Sequence, residues 1–75
     1  MPRAINPAAL REIRKLTGVT QEELARRAGI NRATLANIEN GKHGVSPAVM
    51  RKLADGLGSS IDAITYRLSE PEPAA

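Results

Sequence analysis

TQEELARRAGINRATLANIENGK, residues Thr20 to Lys42, decides the fold. Leu24, Ala25 and Ala28 recur at helical spacing, Leu35 and Ile38 do so again, and Gly29-Ile30-Asn31 lies between. The stretch predicts two short amphipathic helices joined by a tight glycine turn. Thr20 opens the first with Glu23 three residues on, the spacing of a capping box, and Val19 and Leu24 stand at the two positions of a hydrophobic staple. Gly29 stands just past the last turn, where a left-handed residue ends a helix. Asn31 caps the second helix, Ile30 and Leu35 repeat the staple, and Gly41 stops it. Ala25 is expected to be small so that a neighbouring helix can cross closely. With Leu35 and Ile38 turned inward, Arg32, Ala33, Thr34 and Asn37 share the exposed face.

The same punctuation extends in both directions. Asn6-Pro7 and Ser46-Pro47 each pair an N-cap with proline at the first helical position. The first helix carries an inner stripe of Leu10, Ile13 and Leu16 and ends at Gly18. The fourth carries Val49, Met50, Leu53, Ala54 and Leu57 and ends at Gly58, and a short fifth from Ser60 bears Ile61, Ile64 and Tyr66. Apolar positions never alternate for long, so the chain reads as all-α, a compact five-helix bundle. Residues 1–68 are expected to form one domain, and 69–75, rich in Pro and Glu, a disordered tail.

Composition narrows the function. Seventy-five residues allow one domain at most. There is no cysteine and one histidine, so no disulfide framework, thiolate metal site or paired-imidazole site is expected. No apolar run is long enough for a membrane span or a secretory signal, which predicts a cytoplasmic protein. Residues 1–52 hold ten Lys/Arg against four Asp/Glu, whereas 53–75 hold one Arg against four acids. That asymmetry suits a basic face turned to a polyanion. No nucleophile–base pair, carboxylate pair or glycine-rich phosphate loop is visible, so no enzyme and no cofactor is expected. Gly56 and Gly58 read as helix-end caps.

A stiff helix presenting small polar side chains and an arginine at its start suits a DNA major groove. Arg32 matches guanine O6 and N7, Asn37 matches adenine N6 and N7, and Ala33 or the Thr34 methyl can pack on a thymine methyl. These are the expected base contacts.

The segment resembles the helix-turn-helix of the phage repressor and Cro family, the xenobiotic-response-element group of regulators. The resemblance covers residues 7 to about 66 and rests on Gln21, Leu24-Ala25, Gly29, the ENGK at Glu39 to Lys42, Pro47, and the stretch from Gly58 to Asp62. It implies a lambda-repressor-like domain whose third helix, about residues 32–40, enters the major groove. It also implies phosphate contacts at Gln21 and Asn40 and at the loop bearing Lys42, and an ion pair between Arg14 and Glu39 tying the first helix to the end of the third. Asn31, Arg14, Lys15 and Arg27 complete the expected phosphate contacts. About four cationic groups per protomer on phosphate would give a dimer a log–log salt slope near −7. Where some relatives carry basic residues before the fourth helix, this chain has His43, Gly44, Val45 and Ala48, so minor-groove reading would fall to Lys42 or His43. His43 otherwise reads as a solvated loop residue. Ala63 replaces an aromatic of some relatives, and dimer contact is expected through Ile61, Ile64, Tyr66 and Leu68.

The expected function is a bacterial or phage-encoded transcriptional regulator, a repressor that binds a palindromic operator in double-stranded DNA as a homodimer. The alternative is an antitoxin or other interaction regulator that holds a toxin or another regulator through the fifth helix and tail. A third reading, the N-terminal domain of a longer regulator, also fits the Pro/Glu tail.

Overall fold

The computed structural model describes residues 3–67, so Leu68 and the tail at 69–75 lie outside the described residues. The chain runs through β1 (Arg3–Ile5), α1 (Pro7–Leu16), α2 (Gln21–Ala28), α3 (Arg32–Glu39), α4 (Pro47–Leu57), α5 (Ile61–Ile64) and β2 (Thr65–Arg67). The five expected helices are present. The addition is a two-stranded antiparallel ribbon in which Arg3, Ala4 and Ile5 face Arg67, Tyr66 and Thr65. Tyr66 is therefore a strand residue. Thr65 turns to extended backbone and ends α5 after one turn.

The helix starts follow the cap residues. The side-chain oxygens of Asn6, Thr20, Asn31 and Ser46 accept from the N–H groups of Ala9, Glu23, Thr34 and Val49. Each satisfies a donor that the first turn would otherwise leave bare. The Thr20 box is only half made. The Glu23 carboxylate turns to the Arg26 guanidinium instead, and the hydrogen bonds from Arg26 hold its pKa below the usual carboxylate value.

Leu10, Leu24, Leu35, Ile38, Leu53 and Ile64 form the dry centre of the core, with Ala25, Ala28 and Ala54 filling the close helix crossings. Leu16, expected on the inner stripe, is 83% exposed. The reason is angular: at 100° per residue Leu16 stands about 120° round the helix from the buried Leu10, whereas Arg14 stands about 40° from it. Arg14 takes the inward place because its partner is buried there.

Gly56 is no cap. It lies within α4, and a Cβ there would meet Leu24 Cδ1 at 3.0 Å and Arg27 Cβ at 3.2 Å. The missing side chain sets how closely α2 and α4 approach. Arg27 uses that closeness, donating from Nη1 to the Gly56 carbonyl at 2.7 Å in the last turn of α4. Arg3 ties β1 to α5 and the start of β2, pairing with Asp62 at 2.5 Å and donating to Thr65 Oγ1 at 3.3 Å.

The Gly56→Val variant should be destabilised by about 1–3 kcal/mol, because its branched side chain overpacks the α2–α4 contact. Thermal denaturation reads this directly, and a melting temperature at or above that of the parent chain would refute the close-approach assignment.

Candidate nucleic-acid interface

The exposed face of α3 begins with its turn. Gly29 adopts φ 70°, a left-handed conformation that a side chain disfavours, and lets the Ile30 N–H donate back to the Ala25 carbonyl at 3.0 Å. The chain is thereby re-aimed within three residues. Asn31 then starts α3 by accepting from the Thr34 N–H at 2.7 Å.

Along α3, Leu35 and Ile38 are buried, and Arg32, Ala33 and Asn37 are exposed. Thr34 is half-buried. The expected base-contacting residues thus lie on one side of one helix, with a flat, small-residue centre at Ala33. Beyond α3, Gly41 turns at φ 73°, and the Lys42 N–H donates to the Asn37 carbonyl at 2.9 Å. Asn40 and Lys42 are exposed beside the end of that face.

The face is held from behind by a buried carboxylate. Glu39, only 2% exposed, accepts two hydrogen bonds from Arg14, from Nε at 2.7 Å and from Nη2 at 3.1 Å. Gln21 Nε2 donates to the same carboxylate at 3.1 Å, and Arg14 Nη1 donates to the Val19 carbonyl at 3.0 Å. One anion therefore ties α1, the loop before α2, the first residue of α2 and the end of α3 together. No buried side-chain polar atom among the described residues lacks a partner. The planar fork of Arg14 against a carboxylate is a strong, orienting geometry.

This arrangement divides the expected phosphate contacts. Arg14 has its guanidinium turned inward, with only 12% of its side chain exposed, and acts as a brace. Arg27 is directed to α4 and also stands 3.7 Å from Glu23. Gln21 keeps one amide hydrogen free beyond its bond to Glu39. It shares a shallow depression at the start of α2 with Thr20, Glu22, Arg14 and Arg32. Asn31 serves its helix cap. Lys15 and Lys42 are exposed.

The residues expected at a dimer contact are scattered. Ile64 is fully buried in the protomer's own core, Ile61 packs partly against that core, and Tyr66 lies half-buried in the ribbon. The sequence reading did not single out Arg3 and took Gly56 for a helix-end cap. Arg3 belongs to a pairing with residues some 60 positions away and has no local signal, and Gly56 belongs to a contact with a helix far away in sequence.

Comparisons with known proteins identify the family and the fold. A helix-turn-helix family model of the Cro/C1 type matches residues 10–64. The HTH-type transcriptional repressor RghR of Bacillus subtilis is 43% identical over 60 residues, covering 79% of this chain and 42% of RghR. Antitoxin HipB of Escherichia coli is 33% identical over 66 residues, covering 88% of this chain and 70% of HipB. Among solved structures, the restriction-modification controller protein C.AhdI from Aeromonas hydrophila superposes with a TM-score of 0.74 at 33% identity, over 76% of this chain and 86% of that one. The chain spans about half the length of the first curated repressors it matches. No helix among the described residues is long and apolar enough to cross a membrane. With its matching residues running from Leu10 in α1 to Ile64 in α5, the chain belongs to the Cro/C1-type helix-turn-helix family of transcriptional regulators.

Proposed function

We propose that this protein is a sequence-specific repressor that binds a palindromic operator as a homodimer, with α3 of each protomer in the major groove. The observation that carries the reading is the exposed row Arg32, Ala33 and Asn37 on a helix braced from behind by the Arg14–Glu39–Gln21 cluster. Arg32 is proposed to grip guanine and Asn37 adenine, while Ala33 and the Thr34 methyl meet thymine. Gln21, Asn40 and Lys42 take flanking phosphates, and the N-cap of α3 at Asn31 lies close to the backbone. Phosphate contacts of this kind set register and carry no sequence information themselves.

A dimer is proposed because half-sites of such helices lie about 34 Å apart, one helical turn. The protomer, 32 Å in its longest dimension, is of the size to place two equivalent helices at that spacing. The surface offered around α5 is Ile61 with exposed Asp62 and Ala63, continued by Tyr66. Leu68 lies outside the described residues. Repression by occluding polymerase needs no surface beyond the DNA face. Cytoplasmic localisation is part of the proposal.

A second reading is favoured by the match to HipB, which covers most of this chain. In it the protein is an antitoxin that also binds its own promoter, its toxin seated on the α5 side and its DNA face unchanged. Binding of a protein partner with Arg32 and Asn37 still available to DNA would distinguish it.

With Arg14 and Arg27 committed inside the protomer and Arg32 assigned to guanine, Lys15 and Lys42 are the cations of the expected phosphate set that stay exposed. A dimer on its operator should then show a log–log salt slope of about −4, shallower than four groups per protomer would give. Filter binding across salt concentrations measures it, and a slope of about −7 or steeper would mean that Arg27 or Arg14 leaves its internal partner. Selection from random duplexes should return a palindromic motif. With Arg32→Ala, discrimination should fall by about 1–3 kcal/mol at one position per half-site while the melting temperature stays put. An unchanged motif would remove Arg32 from the base contacts.

A further inference from the structure

Of the carboxylates on α2 and α3, two are satisfied inside the protomer. Glu39 is buried against Arg14 and Gln21. Glu23 takes the Arg26 guanidinium and stands 3.7 Å from Arg27 Nε. Glu22, in the first turn of α2, is exposed and has no hydrogen bond or ion pair among the described residues. It borders two shallow depressions. One it shares with Gln21 and Arg32, the other with Thr20, Glu23 and Arg26. An acid in the first turn also favours the helix through its dipole, a structural role indifferent to DNA sequence.

Gln21 and Arg32 are the groups proposed above to meet a phosphate and a guanine. Adjacent Cα atoms lie about 3.8 Å apart. Because Gln21 and Glu22 line the same depression, a phosphate held by Gln21 stands within the screening length, about 10 Å at 0.1 M salt, of the Glu22 carboxylate. That repulsion acts on every duplex. Arg32 makes the sequences differ. On guanine it spends two of its five N–H groups on O6 and N7, and the others can still be accepted by a carboxylate on the protein side. On a phosphate the guanidinium is itself the neutralising charge, and Glu22 competes for it.

We propose that Glu22 is a specificity-determining residue, whose free carboxylate beside Gln21 and Arg32 weakens phosphate-only binding and directs Arg32 to guanine. This role rests on the DNA-binding reading above. Discrimination then comes partly from a repulsive element set against wrong sequences.

The test is fluorescence anisotropy across salt concentrations with the wild-type chain, Glu22→Gln and Asp55→Asn. Each is measured on the duplex enriched by selection and on a scrambled duplex of equal length. Asp55 is an exposed acid of α4 whose depression is lined by Arg27, Lys52 and Gly56 and by no residue of α3, so the two variants lose the same charge at different places. Circular dichroism in parallel checks that each variant is folded. Glu22→Gln should bind the scrambled duplex at least about fivefold more tightly, with a salt slope steeper by about 0.9 per protomer, the increment for one more phosphate neutralised. Its gain on the selected duplex should be smaller, so that the ratio of selected to scrambled affinity falls at least about threefold. Asp55→Asn should keep that ratio within about twofold of the wild type. An unchanged ratio in Glu22→Gln, or an equal fall in both variants, overturns the inference and leaves the DNA-binding reading standing. Absence of wild-type binding to any duplex overturns both.

Discussion

A single buried carboxylate organises the interface. Glu39 ends α3, and its two oxygens take the Arg14 guanidinium and the Gln21 amide together. A charge at 2% exposure persists only because every lone pair that matters is met. As a result, the start of α2, the end of α3 and the last turn of α1 cannot move independently. Gln21 and the α3 face are the parts proposed to touch backbone and bases. The same anion holds both, so the register of one determines that of the other. The orientation of α3 is thus set from behind by this cluster together with the packing of Leu35 and Ile38.

That division accounts for the charge pattern. The chain is basic over its first two-thirds, yet many of those cations serve the fold: Arg14 braces α3, Arg27 caps α4, Arg26 pairs with Glu23, and Arg3 fastens the ribbon. The groups left for a polyanion are fewer than the count of Lys and Arg suggests. Binding built on few phosphate contacts depends more on base-edge contacts and is less lowered by salt. The face itself is small, with Ala33 exposed between Arg32 and Thr34, and in the proposed function this lets the backbone of α3 approach base edges closely.

Much of this was legible in the sequence because the signals are local. Asn6, Thr20, Asn31 and Ser46 cap where cap residues should, and Gly29 turns where a left-handed residue is needed. The Arg14–Glu39 pair came from the resemblance of the ENGK segment and its partner helix. What stayed hidden depends on residues distant in sequence. Leu16 looked like core until Arg14 claimed the inward line, and Gly56 looked like a cap until α2 was seen to press on it. Two three-residue strands are too short to alternate visibly, and their pairing joins residues 3–5 to residues 65–67, far apart in sequence. The Glu23 carboxylate has two suitors, its own helix cap and Arg26, and only the folded geometry shows which it takes.

The most direct measurement is an amide-shift titration of the isotope-labelled protein with short DNA duplexes. The account places the largest shifts on Arg32, Ala33, Asn37, Lys42 and the first turn of α2, with β1, α5 and β2 nearly silent on the DNA-facing side. Shifts concentrated on α5 and the ribbon, with α3 unmoved, would contradict the claim that α3 is the DNA-reading element.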